Sequence, residues 1–172
     1  DAMRYASKMR AYQNALDDKK ASVRRDVKVR YLYGSTGVGK TRYVFEKYGL
    51  DAYRASNYLH PFDTYEGEKV LILDEFRGQI DFSYLLNVLD GYPLRLRARY
   101  GDRPALFDEV WVISNERLDT LYPSVQEDSP DTWDAFLRRF DAVQSWEEFV
   151  STEFVDGGRP DWLDEEGLLL VA

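Results

Sequence analysis

Residues 34 to 41 are the part of this sequence whose types and spacing are best suited to chemistry. They match the phosphate-binding pattern G-x-x-x-x-G-K-[ST]. In this pattern the glycines let successive backbone N–H groups turn toward an anion, and the helix that follows presents the positive end of its dipole. We predict a nucleotide site in which Lys40 reaches the β- and γ-phosphates and Thr41 ligates Mg²⁺. The predicted binding residues are Gly34, Ser35, Thr36, Gly37, Val38, Gly39, Lys40 and Thr41.

Hydrolysis of a bound nucleotide also needs a carboxylate on the metal side and a group that orients water. Asp74 and Glu75 directly follow the apolar run 70–73, and Asn115 follows the run 110–114. We predict that Asp74 holds Mg²⁺ through its water shell, that Glu75 polarises the attacking water, and that Asn115 donates to the γ-phosphate or to that water. Ordinary polar turns at strand ends are the alternative interpretation.

Arg138 and Arg139 are two further candidates for catalysis, and we predict that they lie in a helix at 132–140. A planar guanidinium suits contact with phosphate oxygens, and such an arginine finger often comes from a neighbouring subunit. Solvated or ion-paired surface arginines are the alternative.

Residues 94–107 contain a regular basic pattern and predict a hairpin or a long loop. Alternation along a strand places Arg95, Arg97 and Arg99 on one face, where three guanidinium groups could follow a row of phosphates. Tyr100, at the bend, could stack on a base. A charged edge strand that prevents aggregation is the alternative.

Alternating segment types predict the elements that position these residues. Strands are predicted at 27–33, 70–73 and 110–114, and helices at 41–48, 82–89 and 132–140. Strands that alternate with helices indicate an α/β fold with a central, mostly parallel sheet. With the phosphate loop, this pattern is that of a P-loop NTPase.

The first 21 residues form a separate feature. No Gly or Pro interrupts residues 2–21, and Tyr5, Met9, Tyr12 and Leu16 recur at helical spacing. We predict one amphipathic helix whose apolar stripe packs either on its own domain or on neighbouring subunits as a collar. The predicted organisation is an N-terminal helical oligomerisation segment at 1–26, an ATPase domain at 27–146 and an acidic tail at 147–172.

The composition limits the classes of protein that are possible. A chain of 172 residues with 44% hydrophobic and 31% charged residues is expected to form a soluble globular domain, with no membrane partner. The chain has no Cys and a single His60, which we expect to be structural, so a thiolate or histidine-rich metal site is excluded.

The net charge of −8 is unevenly distributed, with +5 in residues 1–30 and −7 in residues 147–172. Because the acidic tail contributes most of the deficit, the overall charge does not exclude a nucleic-acid partner. In that tail Trp162 and Leu168 to Leu170 predict either a partner-docking motif or a segment that packs on the domain.

The order of the motifs resembles that of a known family. The phosphate loop is followed by Tyr65-Glu66-Gly67-Glu68 before the run 70–76, then by Val112 to Asn115 and by Leu137 to Phe140. Over residues 28–146 this order resembles the superfamily 3 helicase domain of the Rep replication initiators of circular single-stranded DNA viruses and related rolling-circle plasmids. The resemblance implies a modified AAA+ fold, a hexameric ring with ATP at the subunit interfaces, and 3′-to-5′ translocation on single-stranded DNA.

The chain departs from that family at two motifs. It has Arg99-Tyr100-Gly101 where the family usually has Lys-Gly-Gly at the hairpin that grips DNA, and Asp74-Glu75 where viral members usually have two aspartates. Full-length Rep proteins also carry a nuclease with a metal held by two histidines. The single His60 and the start at Asp1 predict a fragment without that domain.

We therefore expect an ATP- and Mg²⁺-dependent DNA helicase domain that acts as a homo-oligomer, in a bacterial cytoplasm or a host nucleus. Three alternatives remain: a P-loop kinase for a small molecule, a noncatalytic scaffold that uses ATP to hold a ring, and an RNA helicase of the same superfamily.

Overall fold

A computed structural model describes residues 2–170, and its centre is a five-stranded parallel sheet with the order β2-β3-β6-β1-β7. The sheet strands are β1 (Lys28–Tyr33), β2 (Ala52–Ala55), β3 (Val70–Leu73), β6 (Glu109–Ser114) and β7 (Ala142–Ser145). A separate two-stranded antiparallel hairpin consists of β4 (Arg95–Leu96) and β5 (Arg103–Pro104).

Helices connect and cover these strands. They are α1 (Ala2–Ala21), α2 (Lys40–Tyr48), α3 (Phe82–Leu89), α4 (Pro123–Asp128), α5 (Pro130–Leu137) and α6 (Trp146–Glu153). Two short 3-10 helices lie at Gly49–Asp51 and Leu118–Thr120. Side chains cap the starts of two helices, because Asp81 accepts from the Tyr84 N–H at α3 and Ser145 accepts from the Glu148 N–H at α6.

Alternate residues of the sheet pack into two separate apolar layers. Leu71 and Leu73 of β3 lie in one core with α3 and α5, while Ile72 lies in the other with α2 and α6. Both faces of β3 are therefore covered, which explains why its sequence is a continuous aliphatic run. Full burial of each such side chain stabilises the fold by roughly 1.5–3 kcal/mol.

The order of the strands brings the predicted site residues to one edge of the sheet. Strand β6 lies between β1 and β3, in register from Lys28 opposite Glu109 to Tyr33 opposite Ser114. Because all three strands run in the same direction, their carboxyl ends meet at this edge.

Several predicted elements agree with the structure. The helices at 2–21 and 82–89 and the strand at 70–73 have the predicted bounds, and the strands at 27–33 and 110–114 and the helix at 41–48 differ by one residue at the start. The predicted helix at 132–140 is wrong at its end, because α5 stops at Leu137 and Arg138 and Arg139 follow it. Strands β2 and β7 and helices α4 and α6 were not predicted.

The N-terminal helix α1 touches the rest of the chain through its polar side. Arg10, Gln13, Asn14, Asp17 and Asp18 face the groove next to the β4–β5 hairpin. In contrast, Met3, Tyr5, Met9 and Tyr12 are exposed, with Tyr5 at 68%. Three of the four stripe residues are therefore turned away from this chain's own domain, and the fourth, Leu16, is half-buried.

A few apolar side chains of residues 147–170 pack on the sheet, while most of this segment is exposed. The predicted boundary at residue 147 falls inside α6, where Trp146, Phe149 and Val150 are buried. Further along, Phe154 and Leu163 are also buried in the same core. Within residues 2–170, no helix is long and apolar enough to cross a membrane.

Candidate functional site

The phosphate loop joins β1 to α2 and has the curvature that its glycines predict. Gly37 and Gly39 have φ values of +81° and +101°, a region that glycine adopts without strain. Lys40 is only 5% exposed, and its Nζ donates to the carbonyl oxygens of Gly34 at 2.8 Å and Ser35 at 2.6 Å. Burial lowers the pKa of Lys40, and the charges of Asp74 and Glu147 oppose that shift.

Asp74 lies directly across from the start of α2. Its carboxylate is nearly buried and accepts hydrogen bonds from the Thr41 hydroxyl at 2.7 Å and from the Arg54 Nε at 2.7 Å. These contacts join the end of β3 to the phosphate loop. Tyr58 adds a third support, because its hydroxyl donates to the Asp74 carbonyl oxygen.

Glu75, next in the chain, is exposed and has a positive φ of 50°. A non-glycine residue in this left-handed region is uncommon and costs energy that its surroundings must supply. Here the Glu75 N–H donates to the Asp74 carboxylate and its carbonyl oxygen accepts from the Gln79 side chain. The turn therefore holds the Glu75 side chain away from the buried strand and beside the cavity.

Most of the residues described above line one cavity of about 330 Å³. It is lined by Thr36, Gly37, Gly39, Lys40, Thr41, Arg42, Arg54, Asp74, Glu75, Ile113, Asn115 and Leu169. Most of the predicted phosphate residues and all the predicted metal and water-orienting residues thus share one concave surface, built from the ends of β1, β3 and β6. Gly34, Ser35 and Val38 of the loop do not line it.

Four lining residues were not predicted from the sequence: Arg42, Arg54, Ile113 and Leu169. Arg42 and Ile113 lie next to predicted residues in the chain, whereas Arg54 and Leu169 belong to other segments. Arg54 belongs to β2, a strand that was not predicted, and it carries the ion pair to Asp74. Leu169 lies more than 90 residues from Asp74 in the chain, so no local pattern could place it here. Only the tertiary fold brings them to the cavity.

The Thr41 hydroxyl and the Asp74 carboxylate are suitable ligands for a magnesium ion whose other ligands are phosphate oxygens. The Thr41 hydroxyl and the Asp74 carboxylate are adjacent, and among residues 2–170 no group of three or more His, Cys, Asp or Glu could hold a metal. Mg²⁺ is commonly bound by one or two protein groups together with nucleotide phosphates and water.

Arg138 and Arg139 do not line this cavity. Arg138 is exposed just after α5, and Arg139 is half-buried with an Nε that has no hydrogen-bond partner. Within one chain they are therefore not part of the nucleotide site.

The predicted basic face at residues 95–99 is only partly formed. The hairpin exists, but β4 ends at Leu96, so the alternation that would align Arg95, Arg97 and Arg99 does not continue. Arg95 pairs with Asp18, Arg99 pairs with Asp63, and Arg97 lies over the Tyr84 ring at 4.7 Å. The prediction of one continuous row of guanidinium groups is wrong. Tyr100, at the tip, is 87% exposed.

The parallel sheet, the glycine loop between β1 and α2, and the acidic end of β3 together define an α/β protein of the P-loop NTPase type. Comparison of sequences identifies its relatives. The chain is a homologue of the replication-associated proteins, or Rep proteins, of circoviruses and cycloviruses, which confirms the resemblance predicted above.

The identity to these relatives is moderate. It is 28% over 141 residues for beak and feather disease virus, which covers 81% of this chain and 45% of the relative. It is 30% over 118 residues for human associated cyclovirus 1, covering 66% and 41%. It is 36% over 84 residues for goose circovirus, covering 49% and 28%. The chain thus spans less than half the length of these relatives.

Two other comparisons add little. No protein-family model matches the chain. A solved structure from Streptococcus pyogenes serotype M3, provisionally described as a primosome component, superposes with a TM-score of 0.43 at 19% identity, covering 83% of this chain and 81% of that one. This similarity is too low to support an argument about function.

Proposed function

We propose that this chain is an ATP-driven DNA helicase domain that works in replication, with a modified AAA+ fold. The observation that carries the proposal is the shared cavity that holds Lys40, Thr41, Asp74, Glu75 and Asn115 at the carboxyl edge of the sheet. Homology to Rep proteins directs the choice of polymer toward single-stranded DNA. In the proposed reaction ATP is hydrolysed and the strand moves 3′ to 5′.

The residues of the cavity have distinct proposed roles. The Lys40 ammonium and the backbone N–H groups of the loop bind the β- and γ-phosphates. Thr41 and Asp74 would hold Mg²⁺, which neutralises phosphate charge when it is bound. Glu75 orients the attacking water, and Asn115, from the neighbouring strand, donates to that water or to the γ-phosphate.

A ring of subunits, proposed as a hexamer, would complete this site. Arg138 and Arg139 lie outside their own cavity, which supports their delivery to the γ-phosphate of a neighbouring subunit. The exposed stripe of α1, at Tyr5, Met9 and Tyr12, supports a contact between copies of the chain. The hairpin tip with Arg97, Arg99 and Tyr100 would face the DNA in the ring.

The first experiment measures ATP turnover against protein concentration, with and without single-stranded DNA. A helicase ring predicts a rate per subunit that rises with concentration and with DNA, and that is lost in Lys40→Ala and Glu75→Gln. Turnover that is proportional to protein and indifferent to DNA would contradict the proposal and favour a small-molecule kinase. Retained ring function in Glu75→Gln would instead indicate a scaffold. Equal stimulation by RNA would indicate the RNA helicase.

Mixing two inactive variants tests whether the arginines act between subunits. Lys40→Ala subunits keep both arginines, and Arg138→Ala, Arg139→Ala subunits keep the phosphate loop. If the arginines act in trans, an equimolar mixture contains some complete sites and regains turnover. A mixture as inactive as its components would place the arginines outside catalysis.

Replacing Tyr5, Met9 and Tyr12 with Ser tests the contact through α1. We expect the mass measured by light scattering to fall toward that of the monomer while the circular dichroism spectrum at low temperature is unchanged, because these side chains are exposed within the single chain. The control is Ala11→Ser with Ala15→Ser, two exposed positions outside the stripe. An unchanged mass in the stripe variant would contradict the proposed contact.

A further inference from the structure

The C-terminal residues 162–170 form a small hairpin, named here the C-terminal hairpin. Leu163 pairs with Leu169 in an antiparallel bridge, and the Leu170 N–H donates to the Trp162 carbonyl oxygen at 2.8 Å. The Asp164 carboxylate closes the turn by accepting from the N–H groups of Glu166 and Leu168. The hairpin is thus an ordered element with its own hydrogen bonds.

Two buried contacts fix this hairpin on the domain. Leu163 is 3% exposed in the core shared by α2 and α6. The buried Trp146 indole donates to the Gly167 carbonyl oxygen at 2.7 Å. A side chain at Gly167, where φ is +81°, would come within 3.2 Å of that indole nitrogen. These contacts set the position of the residues on either side.

Trp162 connects the hairpin to the phosphate-binding helix. Its indole N–H donates to Glu46 of α2 at 2.7 Å, and the Arg42 guanidinium lies 4.4 Å from its ring centre. Arg42 and Glu46 are themselves paired at 2.9 Å. Hydrogen bonds from Arg42 and Trp162 lower the pKa of Glu46, so the acceptor is ionised at neutral pH.

The hairpin also covers the last glycine of the phosphate loop. A Cβ built on Gly39 would lie 2.5 Å from the Trp162 ring and 3.2 Å from the Leu169 side chain. The Leu169 side chain lines the same cavity as Lys40 and Thr41 and is 41% exposed. A glycine at position 39 is thus required both by its φ of +101° and by this close contact.

We propose that the C-terminal hairpin is the nucleoside-facing wall of the nucleotide site, with Leu169 in contact with the base or sugar and Trp162 as its positioning residue. The proposal rests on the proposed function, because it assumes that the loop binds phosphates. Lys40, Thr41 and Asp74 occupy the phosphate end of the cavity. Leu169 gives it an apolar surface that a triphosphate alone cannot use.

The apolar character of this wall predicts little discrimination between nucleotide bases. An aliphatic side chain offers no hydrogen bond to the edge of a base, so it cannot reject a base by leaving a polar group unpaired. We therefore expect ATP and GTP to bind with affinities within about tenfold of each other.

Calorimetric titration of the full chain with ATP, GTP and inorganic tripolyphosphate tests the wall. Leu169→Ala should weaken ATP and GTP binding about fivefold, the effect of losing part of one aliphatic contact, and leave tripolyphosphate binding unchanged. Leu168→Ala is the matched control, because Leu168 is exposed and does not line the cavity. It should leave all three affinities unchanged.

Trp162→Phe removes the bond to Glu46 but keeps an aromatic ring over Gly39. It should weaken ATP more than tripolyphosphate, as Leu169→Ala does, if the indole positions the wall. Trp162→Phe with all three affinities at the wild-type values would remove Trp162 from the proposal.

Two results would overturn the inference. The first is equal affinity of the wild-type and Leu169→Ala chains for ATP. The second is an equal loss of ATP and tripolyphosphate, which would place the effect of the hairpin on the phosphate loop. Failure of the proposed function would give a different result. In that case Lys40→Ala would bind all three ligands as well as the wild type does.

Discussion

At the scale of single residues, the least expected participant in the site is Arg54. Its Nε contacts the Asp74 carboxylate at 2.7 Å, and its side chain is 42% exposed while that of Asp74 is 5% exposed. The pair is thus open to solvent on one side only. A buried carboxylate that loses a partner is costly, whereas an exposed pair contributes little.

We expect Arg54→Ala to reduce the free energy of unfolding by about 1 kcal/mol, because Asp74 keeps Thr41 and a backbone N–H as donors. Urea denaturation followed by tryptophan fluorescence measures this change. Arg117→Ala is the control, since Arg117 and Asp119 form an ion pair in which both side chains are more than 60% exposed. An equal decrease in the free energy of unfolding of both variants would show that the contact with Asp74 stabilises the fold no more than an exposed ion pair does.

If the chain hydrolyses ATP as proposed, the same substitution should reduce turnover, because Arg54 lines the proposed nucleotide cavity. Arg54→Lys keeps the positive charge and loses the planar geometry. Partial recovery of turnover in Arg54→Lys would assign the role to charge, and no recovery would assign it to the geometry of the guanidinium.

At the scale of elements, the β4–β5 hairpin differs most from its sequence pattern. The three arginines point to separate neighbours on α1, on α3 and on the loop that holds Asp63. Arg95 and Arg99 each use an ion pair within the chain. In the part of the chain that the structure describes, Arg97 has no carboxylate within ion-pair distance.

These contacts predict an unequal contribution to DNA binding. Arg97→Ala should weaken binding of single-stranded DNA more than Arg99→Ala, because Arg99 must break its contact with Asp63 before it meets a phosphate. Arg97→Ala should also reduce the slope of log K against log salt by about 0.7, the value for one phosphate contact on a single strand. Fluorescence anisotropy with labelled oligonucleotides at several salt concentrations measures both quantities. Equal losses in the two variants would contradict this assignment.

At the scale of the whole molecule, the two apolar layers depend on widely separated segments. The layer over α2 is completed by Trp146, Phe149, Val150, Phe154 and Leu163, all of which follow residue 145. The core of the α/β domain therefore extends past residue 146, into the segment whose acidic composition suggested a tail.

We expect a chain that ends at residue 146 to fail to fold, because it would expose Val44, Ile72 and Trp111 on that face of the sheet. A chain that ends at residue 158 keeps α6 and Phe154 and should fold with reduced stability. Circular dichroism and thermal unfolding of the two truncated chains distinguish them. A cooperative transition for the chain that ends at 146 would contradict the expectation.

Buried tyrosines make the stability of the whole molecule sensitive to alkali. Burial raises the pKa of Tyr31 to about 12 and also raises the pKa values of Tyr43, Tyr48, Tyr58, Tyr65 and Tyr122 above the usual 10. Between pH 10 and 12 the folded state holds phenol protons that the unfolded state has lost. Stability is therefore fully present below pH 10 and falls as the pH rises above it.

The size of this effect can be measured for Tyr31. A pKa shift corresponds to roughly 1.4 kcal/mol for each pKa unit, so the wild type should lose about 2–3 kcal/mol through this group by pH 12. Tyr31→Phe should be less stable at pH 8, because the bond to the Glu116 carbonyl oxygen is lost, but its stability should fall less steeply above pH 10. Guanidinium denaturation at pH 8, 10 and 11 tests both points, and parallel pH curves for the two chains would contradict the second.

The sequence by itself determined the features that depend on short stretches of chain. The phosphate loop, the buried strand at 70–73 and the helices at 2–21 and 82–89 were predictable, because glycine spacing and apolar periodicity act within a few turns or one strand. The motif order was enough to identify the relationship to Rep proteins, which the comparisons confirm.

Only the tertiary structure decided which distant residues meet. Arg54 reaches Asp74 through a strand too short and too polar to stand out in the sequence, and Leu169 reaches Gly39 through contacts of Trp146 and Trp162 across the core. The apolar stripe of α1 has the same period whether it faces its own domain or solvent, and the structure turns Tyr5, Met9 and Tyr12 outward. Local spacing fixes which residues share a face, whereas the free energy of burial over the entire chain decides what that face meets.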